Sequence, residues 1–277
     1  MKEESLIIDF HTHAFPDALA QTAVAKLRAS IGDIYPPVHD GTIAGLLANM
    51  DAWGVDTSVV LPVATNAAQV RNVNEWSARQ HSDRIISFGS IYPHAEHWKR
   101  DIDHAVSLGL RGLKFHAEYQ DFEVDDPRLL SIYDYALDQN LILIHHAGFD
   151  PAYPEPYRSN PARFARALKA LTGSDDGGLG DRVFVIAHLG GHAQWDDVER
   201  YLVGTDVHLD TSMGMDFYPH EQFVRIATGH GADRILFGSD APWSSALSEV
   251  EQLSALVLPP ADLEAILGGN AKRILGV

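Results

Sequence analysis

Histidine is the residue type with most chemical scope in this chain, at 15 of 277 positions. Where the histidines fall matters more than how many there are. His11 and His13 stand one residue apart at the end of the apolar run Leu6–Phe10. Side chains at i and i+2 of a strand point to the same face, so Asp9, His11 and His13 are expected together. Two imidazoles on one face make half of a metal site. Two solvated histidines on an ordinary sheet face would show the same spacing, and the HxH pattern alone does not separate the two. Other apolar runs end in the same way. Lys114 and His116 close the run Gly112–His116, His145 and His146 close Leu141–His146, His188 follows Val183–Ala187, and Asp240 follows Gly238-Ser239. His145 and His146 are adjacent and must face opposite ways, so one of them looks toward the site. Ligands and proton carriers at so many run ends favour a metal-dependent site over scattered histidines.

Such a site needs elements that bring those ends to one place. Short β-branched runs occur at Leu6–Phe10, Thr57–Val63, Ile85–Ile91, Gly112–His116, Leu141–His146, Val183–Ala187, Val207–Leu209 and Ile235–Gly238. Helical apolar spacing lies between them at Thr42–Trp53, Asn72–His81, Trp98–Leu108, Pro127–Gln139, Ala162–Leu171 and Asp196–Leu202. Continuous apolar runs alternating with helices indicate a parallel sheet covered on both faces. Eight of them in 277 residues favour an α/β (β/α)8 TIM barrel, as one domain over 1–277, above an open doubly wound sheet. In such a barrel the loops leaving the C-terminal ends of the strands build the active site, and Phe149–Asn160 is one of these. Gly173–Asp181 reads as a surface connection, and Ala261–Leu275 as two short helices broken at Gly268-Gly269.

Composition narrows the function. Hydrophobic residues make up 45% and charged residues 21%, enough for a real core. There is no cysteine, so thiolate catalysis, disulfides and Cys-based metal sites are excluded. A net charge of −17 without a basic stripe argues against nucleic-acid partners and against an anionic membrane surface. The acidic start Met1-Lys2-Glu3-Glu4 is unlike a signal peptide, and no run is long enough to span a bilayer. The expected setting is cytoplasmic, with a small-molecule substrate and a homodimer as the default association.

IIDFHTH at 7–13, HAG at 146–148, AHLGG at 187–191, LFGSDAPW at 236–243 and the closing LGGNAKRILGV resemble the amidohydrolase superfamily. The similarity is greatest to its amidohydrolase-related branch, which includes the aminocarboxymuconate-semialdehyde decarboxylase type. The resemblance implies a metal-centred barrel. It implies His11, His13, His146 and Asp240 as metal ligands, and His188 beside Asp240 as the group assisting water or substrate. His145 would then point outward. Binuclear members use a carboxylated lysine on the fourth strand, so Lys114 could bridge a second metal with His146 and His188. Alternatively Lys114 sits deeper, as a buried ammonium paired with Asp9 or Asp240. One metal is the favoured expectation.

A metal held by imidazole and carboxylate keeps a position open, lowers the pKa of bound water from 15.7 to ~7 and polarises a carbonyl. Nitrogen and oxygen ligands suit zinc, manganese, iron or cobalt, with zinc the default. The leading reading is hydrolysis of a C–N or C–O acyl bond in a small polar substrate. The alternative is nonoxidative decarboxylation of a small carboxylic acid, for which manganese becomes more plausible. A binding barrel without chemistry and a barrel nuclease rank below both. His116, Glu118 and Tyr119 are candidates for substrate contact, and Arg158 for holding a substrate carboxylate. Asp210 could orient a ligand, His192 reads as an outer residue, and Trp195 and Trp243 could wall the pocket.

Overall fold

The computed structural model describes residues 6–174 and 178–277, so part of the connection expected at 173–181 lies outside the described residues. Each expected apolar run forms a strand: β1 (Ile8–Thr12), β2 (Thr57–Val60), β3 (Ile85–Ser87), β4 (Gly112–Phe115), β5 (Ile142–His145), β6 (Phe184–Ile186), β7 (His208–Asp210) and β8 (Ile235–Leu236). All pairings are parallel, in the orders β1-β2-β3 and β4-β5-β6-β7-β8. Backbone hydrogen bonds join the two groups at both seams. Gly89 N donates to Gly112 O (2.8 Å) and Lys114 N to Gly89 O (2.9 Å). On the other side Phe10 N donates to Phe237 O and Asp240 N to His11 O, both at 2.8 Å. The fold is an α/β TIM barrel.

Side-chain alternation divides the core in two. Ile8, Phe10, Val59, Ile86, Ile142, Ile144, Val185 and Leu236 fill the barrel interior. Leu113, Phe115, Leu143, Phe184, Ile186, Leu209, Ile235 and Phe237 face the helices. Fully burying such a side chain contributes ~1.5–3 kcal/mol.

β1 departs from simple alternation. Asp9 pairs with Ser58 and Thr12 with Val60, so β1 carries one extra residue between them. This bulge separates Asp9 from the histidines, contrary to the shared face expected from sequence. Asp9 points away from the interior and binds Ser239, accepting from its backbone N (2.9 Å) and its hydroxyl (2.6 Å). It is therefore not the partner of Lys114. His11 turns into the barrel mouth instead.

The helices start where caps allow. Thr42 caps Ile43–Trp53, Asn66 caps Ala67–Gln80, Asp126 caps Pro127–Asp138 and Asn160 caps Pro161–Thr172. The Asn66 cap moves the second of the expected starts, at Asn72, back to Ala67. Helices at Asp17–Ile31, His220–His230 and Ala246–Ser254 were not expected. The first of these buries only Ala20, Val24 and Ile31, too thin a stripe to read as a core helix. The C-terminal glycines do not break the chain. They lie in a π turn (Ala265–Gly269) that runs directly into helix Asn270–Leu275. A Cβ on Gly268 would lie 2.4 Å from the Leu6 carbonyl, so glycine there permits the close approach of this turn to the chain entering β1. Among the described residues no helix is long and apolar enough to cross a membrane.

Candidate metal centre

His11 and His13 come from the end of β1, Lys114 and His116 from β4, His146 from β5, His188 from the turn after β6, and Asp240 from the loop after β8. All of them line one cavity of about 540 Å³ at the C-terminal mouth of the barrel. Asp240 reaches it with a backbone φ of 70° and His188 with a φ of 57°, conformations that non-glycine residues seldom adopt and that cluster at functional sites.

Three of these side chains converge. His11 Nε2 and His13 Nε2 each lie 3.1 Å from Asp240 Oδ1. Their tautomers follow from the partners of the other ring nitrogens. His13 Nδ1 faces the Leu61 carbonyl at 2.8 Å and must donate, which leaves its Nε2 with a lone pair. His11 Nδ1 donates to Asp210 Oδ2 at 2.8 Å. Burial keeps the His13 ring neutral. Burial also works against an ionised Asp240, yet His11 and His13 hold its carboxyl well below the usual carboxylate range. A His13 lone pair facing a carboxylate is repulsive unless positive charge lies between them, and Asp210 and Asp240 pull the His11 ring above its ordinary pKa in spite of burial and Lys114, so this point of the site draws a cation. His11, His13 and Asp240 therefore fit a divalent metal, with Asp210 and Leu61 fixing the rings as metal-site partners do.

Lys114 is the cation the chain itself brings. Its Nζ lies 3.0 Å from His11 Nε2 and the side chain is 1% exposed. Burial lowers its pKa to about 8, against the fields of Asp210 and Asp240. Its reach shows that it is not too deep to touch the site.

His146 and His188 form a second group. His188 Nδ1 faces the Ser212 carbonyl at 3.1 Å and donates to it, so its Nε2 holds a lone pair. That nitrogen lies 3.0 Å from His146 Nδ1. His146 Nε2 is buried without a partner among the described residues. His146 stacks on His116 at 4.2 Å, and His116 Nε2 lies 3.5 Å from Asp150 Oδ2. The ligand atoms of His116, His146 and Asp150 come close enough to hold a cation of their own. Burial pushes His188 down to about 3 and His116 and His146 well below the ordinary imidazole value. All three are neutral at pH 7.

Other candidates fall elsewhere. Tyr119 lines the cavity, stacks on His116 at 3.7 Å and hydrogen-bonds Asp150. Glu118 does not line it. Its carboxylate accepts from Arg158 N (2.9 Å) and the Ser159 hydroxyl (3.1 Å), fastening the loop that follows β5. The Arg158 guanidinium also lies outside the cavity, paired with Asp121 at 2.7 Å. His145 faces away from the mouth, between Phe115 (4.7 Å) and Phe184 (4.8 Å). His192 lines the cavity and its Nε2 meets the Tyr35 hydroxyl at 3.0 Å. Trp243 is a wall and Trp195 is not. Sequence reasoning missed Asp150, Tyr35 and Ser212. Asp150 carried a signal, since it stands four residues after His146 in a loop leaving a strand end. Tyr35 and Ser212 carried none.

The amidohydrolase family model matches residues 8–277. The chain belongs to the amidohydrolase family. No curated protein matches the sequence. Among solved structures, this amidohydrolase is similar to 5-carboxyvanillate decarboxylase from Sphingomonas paucimobilis, with a TM-score of 0.70 at 16% identity over 99% of this chain and 100% of that one. An uncharacterised TIM-barrel protein from Bordetella bronchiseptica gives 0.74 at 23% identity over 98% of each chain. The 5-carboxyvanillate decarboxylase of Novosphingobium aromaticivorans, complexed with manganese and 4-hydroxy-3-methoxy-5-nitrobenzoic acid, gives 0.72 at 14% identity over 100% of this chain and 97% of that one. The family match makes the chain an enzyme of the amidohydrolase superfamily.

Proposed function

We propose that this amidohydrolase is a metal-dependent, nonoxidative decarboxylase of a small carboxylic acid. The observation that carries this is the contrast between the cavity's polar floor and its apolar walls, which include Phe15, Leu61, Val63, Phe149 and Trp243. Losing carbon dioxide disperses the charge of a carboxylate. Apolar walls destabilise the compact charge of the bound acid more than the dispersed charge of the transition state. Hydrolysis, whose transition state concentrates charge on the attacked carbonyl oxygen, gains less from such walls. The similarity to enzymes whose names record decarboxylation of aromatic acids supports the same reading.

His11, His13 and Asp240 would hold the metal, which supplies Lewis acidity toward an oxygen of the substrate when bound. Manganese and zinc both suit these ligands. The remaining work falls to the chain. The substrate carbon–carbon bond breaks, the electron pair stays on the substrate carbon, carbon dioxide leaves and one proton must arrive. Asp240 is the carboxylate placed at the floor to take that proton from a water molecule and pass it to the substrate carbon. Asp210 orients His11 and, through His188 N (3.0 Å), the turn that presents His188.

The test is to incubate manganese-loaded protein with a panel of aromatic and enoic acids in ¹⁸O-water. Carbon dioxide release with no ¹⁸O in the organic product is expected. Hydrolysis with ¹⁸O incorporation would sink the reading. One geometric feature favours hydrolysis on two metals as a second reading: Lys114 beside His11, with His146 Nδ1 and His188 Nε2 facing each other at 3.0 Å. Two metals per chain together with ¹⁸O incorporation would establish it.

A further inference from the structure

We propose that the cavity contains an outer apolar subsite, between helices Asp17–Ile31 and Ala67–Gln80, that binds the extended apolar group of a monocarboxylic acid. This deepens the decarboxylase reading and rests on it for the acid head alone. Three observations carry it.

The first is size. At ~30 Å³ for each water-sized group, a cavity of about 540 Å³ holds roughly 18 such groups, about twice what a single-ring acid supplies. The cavity therefore has room beyond the floor for more than a single-ring acid. The second is lining. Beside the strand-end residues, the cavity is lined by Leu19, Leu27 and Ile31 of one helix and Val73 and Trp76 of the other, with Phe15 between β1 and the first helix. Leu27 and Phe15 pack with Ile31, Tyr35 and Trp243 into one apolar cluster. Thr65, Gln69 and Asn72, which also line the cavity, are uncharged, and Gln69 Oε1 already accepts from Thr65 N at 2.8 Å.

The third is charge. Lys114 is the single lysine or arginine among the described residues lining the cavity, and it is engaged at the floor with His11. Arg158 is held outside by Asp121, and Arg71 by Glu75. A second carboxylate on the substrate would meet apolar side chains in the outer cavity and no lysine or arginine partner. An apolar group loses nothing there and gains the burial of its own surface. The chain therefore selects one acid function and an apolar body of at least a second ring or a short alkyl chain.

The experiment reads binding, so it stands apart from turnover. Manganese-loaded protein is titrated with para-alkylbenzoates from methyl to hexyl, followed by the fluorescence of Trp76 and Trp243, and with isophthalate. Affinity is expected to rise about 3- to 4-fold per methylene until the subsite is full. Isophthalate is expected to bind at least 10-fold more weakly than para-methylbenzoate. Leu27→Ser, and the more exposed Leu19→Ser, should flatten the series. A flat series in the native protein, isophthalate binding as tightly as para-methylbenzoate, or a series equally steep in both variants would overturn the subsite. A steep series with no carbon dioxide from any acid would leave the subsite standing and remove the decarboxylase reading. Carbon dioxide release with a flat series would do the reverse.

Discussion

At the scale of single residues, neighbours in sequence have opposite fates. Among the described residues, His146 lines the cavity with a buried ring nitrogen that has no partner, whereas His145 stacks among aromatics with neither ring nitrogen bonded. Metal content should therefore survive His145→Phe. Two unsatisfied nitrogens disappear and the ring fits an aromatic slot, so stability should hold or rise by up to ~1 kcal/mol. A chemical melt showing a loss of ~2 kcal/mol or more would mean that those nitrogens are satisfied after all. Asp240→Asn addresses the other face of the problem. Asparagine accepts a positive φ and keeps the shape, so the melting temperature should stay within a few degrees. Activity should fall roughly 10²–10⁴-fold, and metal should be lost on dialysis. An active, fully metallated Asp240→Asn protein would refute its assigned role.

At the scale of elements, the closing turn shows how a glycine pair can be misread. Gly268 meets the Leu6 carbonyl, whereas the nearest atom to a Cβ on Gly269 would be Glu264 O at 3.5 Å, an ordinary contact. Gly268→Ala should cost ~1–3 kcal/mol by urea denaturation, and Gly269→Ala should be close to neutral. Equal gains in stability from the two changes would mean that helix propensity governs the turn, since both glycines carry that penalty relative to alanine. The β1 bulge belongs to the same scale. Alternation can be read along a strand, but an extra residue in the pairing register depends on the neighbour it pairs with, here Ser58 to Val60 of β2.

At the scale of the whole molecule, buried acids tie stability to pH. Glu249 accepts from the Ser244 hydroxyl (2.7 Å) and Met215 N (3.0 Å), joining the loops after β8 and β7. Burial pushes its carboxyl up to about 8. Above its unfolded value of about 4.5 the unfolded chain releases this proton and the fold keeps it, so stability falls as pH rises from about 4.5 to about 8. Asp9, pushed up to about 6 by burial, adds to the fall over the lower part of that range. Glu249→Gln should flatten the decline, seen as melting temperatures that differ less between pH 5 and pH 8 than those of the native protein. A variant with an unchanged decline would assign the slope to other groups.

Sequence by itself determined the strand runs, their parallel barrel and the residues at their C-terminal ends. Those depend on local apolar patterning and on a topology that few arrangements satisfy. His11, His13 and Asp240 were legible because strand ends of a barrel meet at one mouth. Tertiary structure alone decided that Asp9 turns away, that Lys114 reaches His11, that Arg158 is held by Asp121 outside the cavity and that Asp150 and Tyr35 come in. Each of these depends on a register shift or on a loop path, and therefore on contacts between residues far apart in the chain. The apolar outer cavity is of the same kind, since Leu27 and Trp76 carry no chemical signal until two helices bring them to one space.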